Sequence, residues 1–203
     1  MGNYLGVHCE FGKMTKEVVA SCRDFVCSKD ADIQSFFHEE FEDYSYQLLG
    51  KSYCFVTKQG NQMVCAFTVA NSSIRVDNMP KPKRNKLNRK IPFSKQRSQY
   101  PAVLVGQLVV FDEFHGLDIG REMMDFIKAW FIDPLNKTGC RYIVVDAMNN
   151  EKVLRYYLDN GFDFIFASDE EELRYMSKEE NVADDERFRE TRLMYFDLMR
   201  LAS

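Results

Sequence analysis

The sequence predicts an α/β fold in one domain spanning residues 1–203, and three observations predict it. An apolar run over 102–111 turns through a loop containing Gly116 into an amphipathic helix. A second apolar run over 140–148 leads into a helix over 150–160 that stops at Gly161. Upstream, 52–58 and 62–74 are strand-like runs separated by Gln59-Gly60-Asn61, the pattern of a hairpin. Strands alternating with helices in this way mark an α/β unit.

The elements follow in chain order. Residues 15–27 predict a short helix with Val18, Val19, Cys22, Phe25 and Val26 inward. Asp32 is placed to cap a second helix that runs to Gly50, with Ile33, Phe36, Phe37, Phe41, Tyr44 and Leu48 on one face. The hairpin comes next, and then a basic insertion at 78–100. After the 102–111 strand, Ile119, Met123, Phe126, Ile127, Trp130 and Phe131 recur at helical spacing, so a helix begins near Leu117. Gly161 is an ordinary C-terminal stop for the 150–160 helix. Asp163–Ala167 then reads as a short strand and Thr191–Leu201 as the last one.

Composition excludes several classes. At 203 residues, 45% apolar and 29% charged, the chain can bury a core and is ordinary for a globular protein. No stretch approaches the length of a membrane span, and the start MGNYLGVHCEFGK lacks the basic-then-apolar pattern of a signal peptide, so a cytoplasmic protein with no membrane contact is expected. The six cysteines contain no Cys-x-x-Cys pair; Cys54, Cys65 and Cys140 lie in apolar runs and read as buried reduced thiols. With His8, His38 and His115 scattered, no metal site is expected.

The charge is segregated. Lys81, Lys83, Arg84, Lys86, Arg89, Lys90, Lys95 and Arg97 share residues 81–97 with no acid; without these eight cations the net charge of −4 becomes −12. Residues 168–190 are predominantly acidic. Both segments read first as solvated surface. The basic loop could instead contact a ligand phosphate or an RNA backbone, and the two segments could pair with each other. Phe93 is the one aromatic in the loop, so base stacking is not strongly advertised.

Two motifs carry chemistry. In LVVFDEFHGLDIG over 108–120, Gly116 and Gly120 let a ligand approach the backbone just where a helix begins, and the first amides of a helix favour anions. In NEKVLRYYLDNGF over 150–162, Asn150 opens a helix that carries Tyr157 and closes on Gly161-Phe162. The first motif resembles the acetyl-CoA loop of the GCN5-related N-acetyltransferase (GNAT) superfamily, Arg/Gln-x-x-Gly-x-Gly/Ala, at His115, Gly116, Leu117, Asp118, Ile119 and Gly120. The second resembles that superfamily's Asn, Ala, Tyr and Gly-Phe landmarks at Asn150, Val153, Tyr157, Gly161 and Phe162. Phe25-Val26-Cys27 with Asp32, Ile33, Phe36 and Phe37, and Gly106-Gln107-Leu108-Val109-Val110, are similar to a subgroup that includes toxins acetylating aminoacyl-tRNA.

The resemblance implies a central twisted, mostly antiparallel sheet with splayed fourth and fifth strands and flanking helices. It implies acetyl-CoA as cosubstrate, held by Leu108, Val109 and Val110, by His115, Gly116, Leu117, Asp118, Ile119, Gly120 and Arg121, and by Asn150 and Val153. It implies Tyr157 as the general acid, a phenol that is protonated at neutral pH and can donate to a leaving thiolate. Tyr156 falls on another helix face. No base is evident: Gln107 could hold a water, and Glu113, His115 and His38 are candidates by residue type. His115, Asp118 and Val153 depart from the usual Arg/Gln, Gly and Ala.

The function so implied is acetyl transfer to a primary amine of unspecified class, with aminoacyl-tRNA contacted through Lys81–Arg97 as one form of it. The alternative is a degenerate domain that binds CoA or RNA without turnover. A homodimer through the last strand or the acidic segment is left open.

Overall fold

The structure, a computed structural model, describes residues 3–59, 61–77, 79–89, 91–180 and 190–202. Met1-Gly2, Gly60 of the expected hairpin turn, Asn78 and Lys90 of the basic insertion, and 181–189 of the acidic segment lie outside the described residues. In chain order the elements are α1 (Tyr4–His8), β1 (Cys9–Lys13), α2 (Lys16–Ser21), α3 (Ala31–Ser35), a π-helical turn (Phe36–Glu40), α4 (Phe41–Tyr46), β2 (Lys51–Thr57), β3 (Met63–Arg75), α5 (Lys81–Asn88), β4 (Gln99–Val110), α6 (Ile119–Ile132), β5 (Tyr142–Met148), α7 (Glu151–Asp159), β6 (Asp163–Phe164), α8 (Asp169–Glu180) and β7 (Thr191–Asp197).

Among the described residues the strands form one seven-stranded mixed sheet in the order β1-β2-β3-β4-β5-β7-β6. β1 and β2, β2 and β3, β5 and β7, and β6 and β7 are antiparallel. β4 and β5 are parallel, joined through the α6 crossover that a parallel pair requires. Their ladder covers Ala102–Leu104 against Tyr142–Val144, while the strands themselves run on to Val110 and Met148.

The chain divides into two compact units, Met1–Ala70 with Val105–Trp130, and Asn71–Leu104 with Phe131–Ser203. In the first, Met14, Phe25, Phe36, Phe37, Phe41, Cys54, Met63, Val109 and Phe111 form a buried cluster. Next to it Phe11 packs on Phe126 (ring centroids 4.5 Å apart) and on the edge of Trp130 (5.2 Å). β1 was not foreseen: its five residues hold Gly12 and alternate too briefly to stand out, and pairing with β2 makes them a strand.

Three helix readings are corrected here. α2 ends at Ser21, so Val26 is outside the helix and half exposed. The second helix is capped by Asp30, whose carboxylate accepts from Ile33 N at 3.0 Å, and Asp32 sits inside its first turn. The helix closes at Leu48, which takes a left-handed φ of 59° while Leu49 N donates back to Tyr44 O at 3.1 Å. That is the hydrogen-bonding position usually given to glycine, and it turns Leu48 out to 88% exposure.

In the second unit Ile74, Val76, Leu87, Tyr100, Tyr142, Phe166, Tyr175 and Tyr195 form the core. The basic insertion is not a loop: Pro80 precedes α5 as its N-cap, Pro82 sits in the first turn, and Leu87 anchors the helix to that core. The acidic segment is not wholly solvated surface either. Arg192 Nε donates to Glu172 Oε2 at 2.8 Å, its Nη1 reaches Asp169 Oδ1 at 2.5 Å and its Nη2 reaches Phe166 O at 3.2 Å. Glu172 also accepts from Leu193 N at 2.6 Å, so this pair fastens α8 to β7. Burial, outweighing these partners, raises the Glu172 carboxyl above its ordinary range.

The last strand ends at Asp197 and becomes a 3₁₀ turn, Leu198–Arg200, capped by the Asp197 side chain accepting from Met199 N. β6 covers only Asp163–Phe164, two residues of the five expected. Cys9, Cys27, Cys54 and Cys65 are buried, but Cys22 and Cys140 are only half buried, and Cys140 precedes β5. Burial pushes the Cys54 thiol up to about 12 and the Cys140 thiol up to about 11, so neither is a thiolate at neutral pH. No helix among the described residues is long and apolar enough to cross a membrane.

The Arg192 and Glu172 side chains are 9% and 5% exposed. Removing one member of such a pair leaves an uncompensated buried charge, so Arg192→Ala should cost about 4 kcal/mol in urea denaturation. A loss under about 1 kcal/mol would mean that the pair is hydrated and does not hold α8.

Candidate active site

The first motif forms the turn from β4 into α6, within the first unit. Phe111 N donates to Val64 O at 3.1 Å, which ties the strand end down, and Asp112–Phe114 make one 3₁₀ turn that buries Phe114. The chain then takes two left-handed steps, Gly116 at φ 85° and Asp118 at φ 60°. Asp118 O accepts from Arg121 N (3.1 Å) and Glu122 N (3.2 Å), which starts α6 at Ile119. Residues 115–118 are exposed, and a Cβ on Gly116 would meet no atom within 4 Å, so backbone here is open to a ligand.

This geometry explains one departure from the family pattern. The position of the usual glycine needs a positive φ, and aspartate is among the few other residues that tolerate it. The exposed Asp118 side chain is solvated. His115 is engaged differently from an anion ligand. Its Nε2 lies 2.8 Å from Val110 O, and a carbonyl can only accept, so that nitrogen carries a proton. His115 Nδ1 stands 3.8 Å from Asp112 Oδ1. Asp112 in turn accepts from Ser28 N at 3.0 Å, and hydrogen bonding to Ser28 is the main reason its carboxyl lies below the ordinary range.

Along β4, Val109 is buried, whereas Gln107, Leu108 and Val110 are half buried. A Cβ on Gly106 would stand 2.6 Å from Thr68 Oγ1, so a side chain there would require Thr68 to move. α6 buries Ile119, Met123, Ile127 and Phe131 as its spacing indicates, while Gly120 and Arg121 remain on its outer face at the first turn.

The second motif, over 150–162, lies in the second unit. Asn150 is the N-cap of α7, in extended conformation, with Oδ1 accepting from Val153 N at 3.0 Å. Val153 is half exposed and Tyr157 is buried, 7% exposed. Burial, with Asp146 nearby, pushes the Tyr157 phenol up to about 12. Its ring meets Phe162 at 5.3 Å and Tyr156 at 5.1 Å, both edge-on. Gly161 ends the helix at φ 80°, and a Cβ there would stand 3.3 Å from Phe196.

The candidate bases are not organised as free bases. His38 Nε2 is 2.9 Å from Phe25 O and must donate to it, with the ring stacked 4.1 Å from Phe25. Glu113 accepts from Gln62 Nε2 at 2.8 Å. Among the described residues, no group of three His, Cys, Asp or Glu side chains could hold a metal ion.

One feature went unread in the sequence. In the second unit a cavity of about 700 Å³ is lined by Lys95, Arg97, Tyr100, Arg141, Ile91 and Pro92. Its cationic residues belong partly to the basic run, but Arg141 comes from the approach to β5, a convergence no linear pattern marks. Arg141 is held by Asp197 (Nη2 donating to Oδ2 at 3.0 Å).

No protein-family model matches the chain, and no curated protein sequence matches it. Solved structures do. AtaT complexed with acetyl-methionyl-tRNAfMet superposes with a TM-score of 0.64 at 15% identity, covering 96% of this chain and 97% of that one. A tyrosine-to-phenylalanine mutant of KacT gives a TM-score of 0.62 at 16% identity, covering 96% and 98%. A tyrosine-to-phenylalanine mutant of the AtaT toxin, bound to the C-terminus of the antitoxin AtaR and acetyl-CoA, gives 0.56 at 14% identity, covering 95% of each chain. At these identities the likeness is one of fold. The chain has the GNAT fold over nearly its whole length, with the mixed sheet and parallel β4–β5 pair in place.

The left-handed Asp118 yields a stability test. Asp118→Gly should leave thermal stability equal or slightly raised, whereas Asp118→Val, β-branched at a positive φ, should cost about 2 kcal/mol. Equal midpoints for all three proteins would show that the turn relaxes to another conformation.

Proposed function

We propose that this chain is an acetyl-CoA-dependent N-acetyltransferase that moves an acetyl group to a primary amine, and that the amine is that of an aminoacyl-tRNA. The observation that carries the reading is the β4–α6 turn. Its two left-handed steps leave the backbone of residues 115–118 exposed ahead of a fourteen-residue helix. The fold likeness supports it end to end, since AtaT is seen with acetyl-CoA and with an acetylated methionyl-tRNA.

In this reading the amides of Leu117–Arg121 hold the pyrophosphate, where helix dipole and unsatisfied donors favour an anion. The backbone of Leu108–Val110 bonds the pantetheine arm. The cosubstrate supplies an activated acetyl thioester. His115 braces the end of β4 through Val110 O rather than reaching the anion, and Asn150 fixes the start of the tyrosine helix. Tyr157 holds the proton to be donated: a phenol whose pKa is about 12 stays protonated throughout the neutral range.

Calorimetry with acetyl-CoA on the wild type and on Gly120→Trp, which fills the first turn of α6, tests the cosubstrate. Binding lost in the variant supports the assignment, and no binding to either protein refutes it. With an aminoacyl-tRNA acceptor, Tyr157→Phe should lower kcat about 100-fold with little change in the KM for acetyl-CoA. The pH profile follows from sign. Tyr157 acts protonated and its pKa is raised to about 12, so no alkaline loss of rate should come from it near the ordinary phenol value of about 10.

The RNA part has its own support in the cavity at Lys95 and Arg97 and in Phe93, two residues earlier in the chain and 89% exposed. Lys95→Ala and Arg97→Ala should each weaken tRNA binding and reduce the salt slope by about 1. Unaltered tRNA affinity in both would exclude this face.

Asp118 and the absence of an evident base motivate a second reading, a degenerate domain that binds CoA or RNA without turnover. It predicts calorimetric binding with no acetyl transfer to tRNA or to any amine.

A further inference from the structure

Beyond α7, the chain returns at its C-terminal end to the turn that follows Tyr157. Arg200 Nη1 donates to Gly161 O at 2.7 Å. Its Nη2 pairs with the Asp163 carboxylate, and its guanidinium lies 5.4 Å from the Phe196 ring centroid. Asp163 is also approached by Lys86 Nζ from α5, at 3.6 Å. Phe196 is the ring that a Cβ on Gly161 would crowd at 3.3 Å, and it packs on Phe162 at 5.6 Å. Phe162 in turn lies edge-on to Tyr157, and Phe162 N donates to Tyr157 O at 3.0 Å. One guanidinium therefore touches the carbonyl, the carboxylate and the aromatic ring that surround the Gly161-Phe162 turn.

We infer that Arg200 is a positioning residue for Tyr157, clamping the Gly161-Phe162 turn so that the phenol stays seated in its buried place. This rests on the acetyltransferase reading for its kinetic consequence but not for its structural one. The physical argument has three parts. A left-handed glycine has the widest backbone freedom of any residue, so the turn needs an external partner to hold one conformation. A cation at the C-terminal end of a helix lies at the negative end of its dipole. A forked donor that bridges a carbonyl and a carboxylate fixes orientation as well as distance, which a lysine point charge does not. Arg200 side-chain exposure is 37%, so the clamp is reached from the surface, whereas the tyrosine it steadies is not.

Two measurements on the full chain test it. The first needs no activity. Alkaline difference absorbance at 295 nm, read as wild type minus Tyr157→Phe, isolates the Tyr157 phenol, held at about 12 by burial. In the Arg200→Ala background the same difference should show the phenol titrating nearer about 10, the value of a solvated tyrosine. Arg200→Lys, which keeps the charge without the fork, should fall between. An unmoved titration in Arg200→Ala overturns the proposal.

The second is a double-mutant cycle on acetyl transfer. Arg200→Ala should lower kcat by up to about 100-fold, the scale of a catalytic group displaced by about 1 Å, with an unchanged KM for acetyl-CoA. The same substitution made in Tyr157→Phe should have no further effect on kcat. An equal loss in both backgrounds means that Arg200 supports the fold generally and overturns the positioning role. Failure of Tyr157→Phe itself to lower kcat would sink the general-acid reading, and the phenol titration would still decide whether Arg200 seats the ring.

Discussion

The constraint on which the candidate site depends is the backbone path between β4 and α6. β4 must stop, reverse and enter a helix within eight residues, from Phe111 to Asp118, and two of those residues adopt positive φ. Few side chains accept that conformation, so the turn dictates its own sequence: glycine at 116, and at 118 a residue whose short polar side chain makes the left-handed state tolerable. The partners around it serve the same path. Phe111 is pinned to Val64, Asp112 collects Ser28, His115 donates to Val110, and Phe114 is buried. Each removes freedom from the loop, and none covers residues 115–118. A turn braced from behind and bare in front is preorganised backbone, which is what an anion-binding loop requires.

The same device recurs at the end of α7. Gly161 is left-handed, crowded by Phe196, and followed by an aromatic that packs on the tyrosine one turn back. Here the bracing is electrostatic as well as apolar, and it belongs to a wider habit of the second unit. Arg141 with Asp197, Arg192 with Glu172 and Asp169, and Arg200 with Asp163 all join β7 or the turn after it to its neighbours. Such pairs contribute little net stability against hydrophobic replacements. Their value lies in register: a short strand such as β6, paired over two residues, has little else to fix its place beside β7.

What was legible in the sequence follows from these facts. The β4 and β5 runs, the α6 stripe and the capped α7 could be read because their signals are local: periodicity, a cap, a stopping glycine. The turns at Gly116 and Gly161 could be read for the same reason, since conformation there is set within a few residues. β1 could not, because only its pairing with β2 makes it a strand. Leu48 was assigned inward because its spacing fits the apolar face, and the left-handed closure that expels it depends on how the helix terminates. Asp30 and Asp32 are both good caps by type, and the choice between them is decided by which reaches the Ile33 amide. Glu172 and Asp169 looked like solvated acids because their partner, Arg192, arrives some twenty residues later. The Arg141 contribution to the cationic cavity is equally nonlocal.

Charge segregation bears on how such a protein would meet a polyanion. The chain carries a net −4, and the part outside 81–97 carries −12, so its far field repels a polyanion while the basic insertion is locally attractive. That arrangement favours orientation over raw affinity. An approaching backbone is turned away from most faces and admitted at one, at some cost in association rate that falls as salt screens the repulsion. α5 converts this from a diffuse charge cloud into a fixed surface, since Leu87 is buried and Tyr100 Oη donates to Asn88 Oδ1 at 2.7 Å. A helix held in this way presents its lysines and arginines at set positions, and the cavity beside it adds Lys95 and Arg97. Were an acidic protein to select a polyanion, the cations that contact it would have to be few and rigidly placed, and the α5 face places several of them in that way.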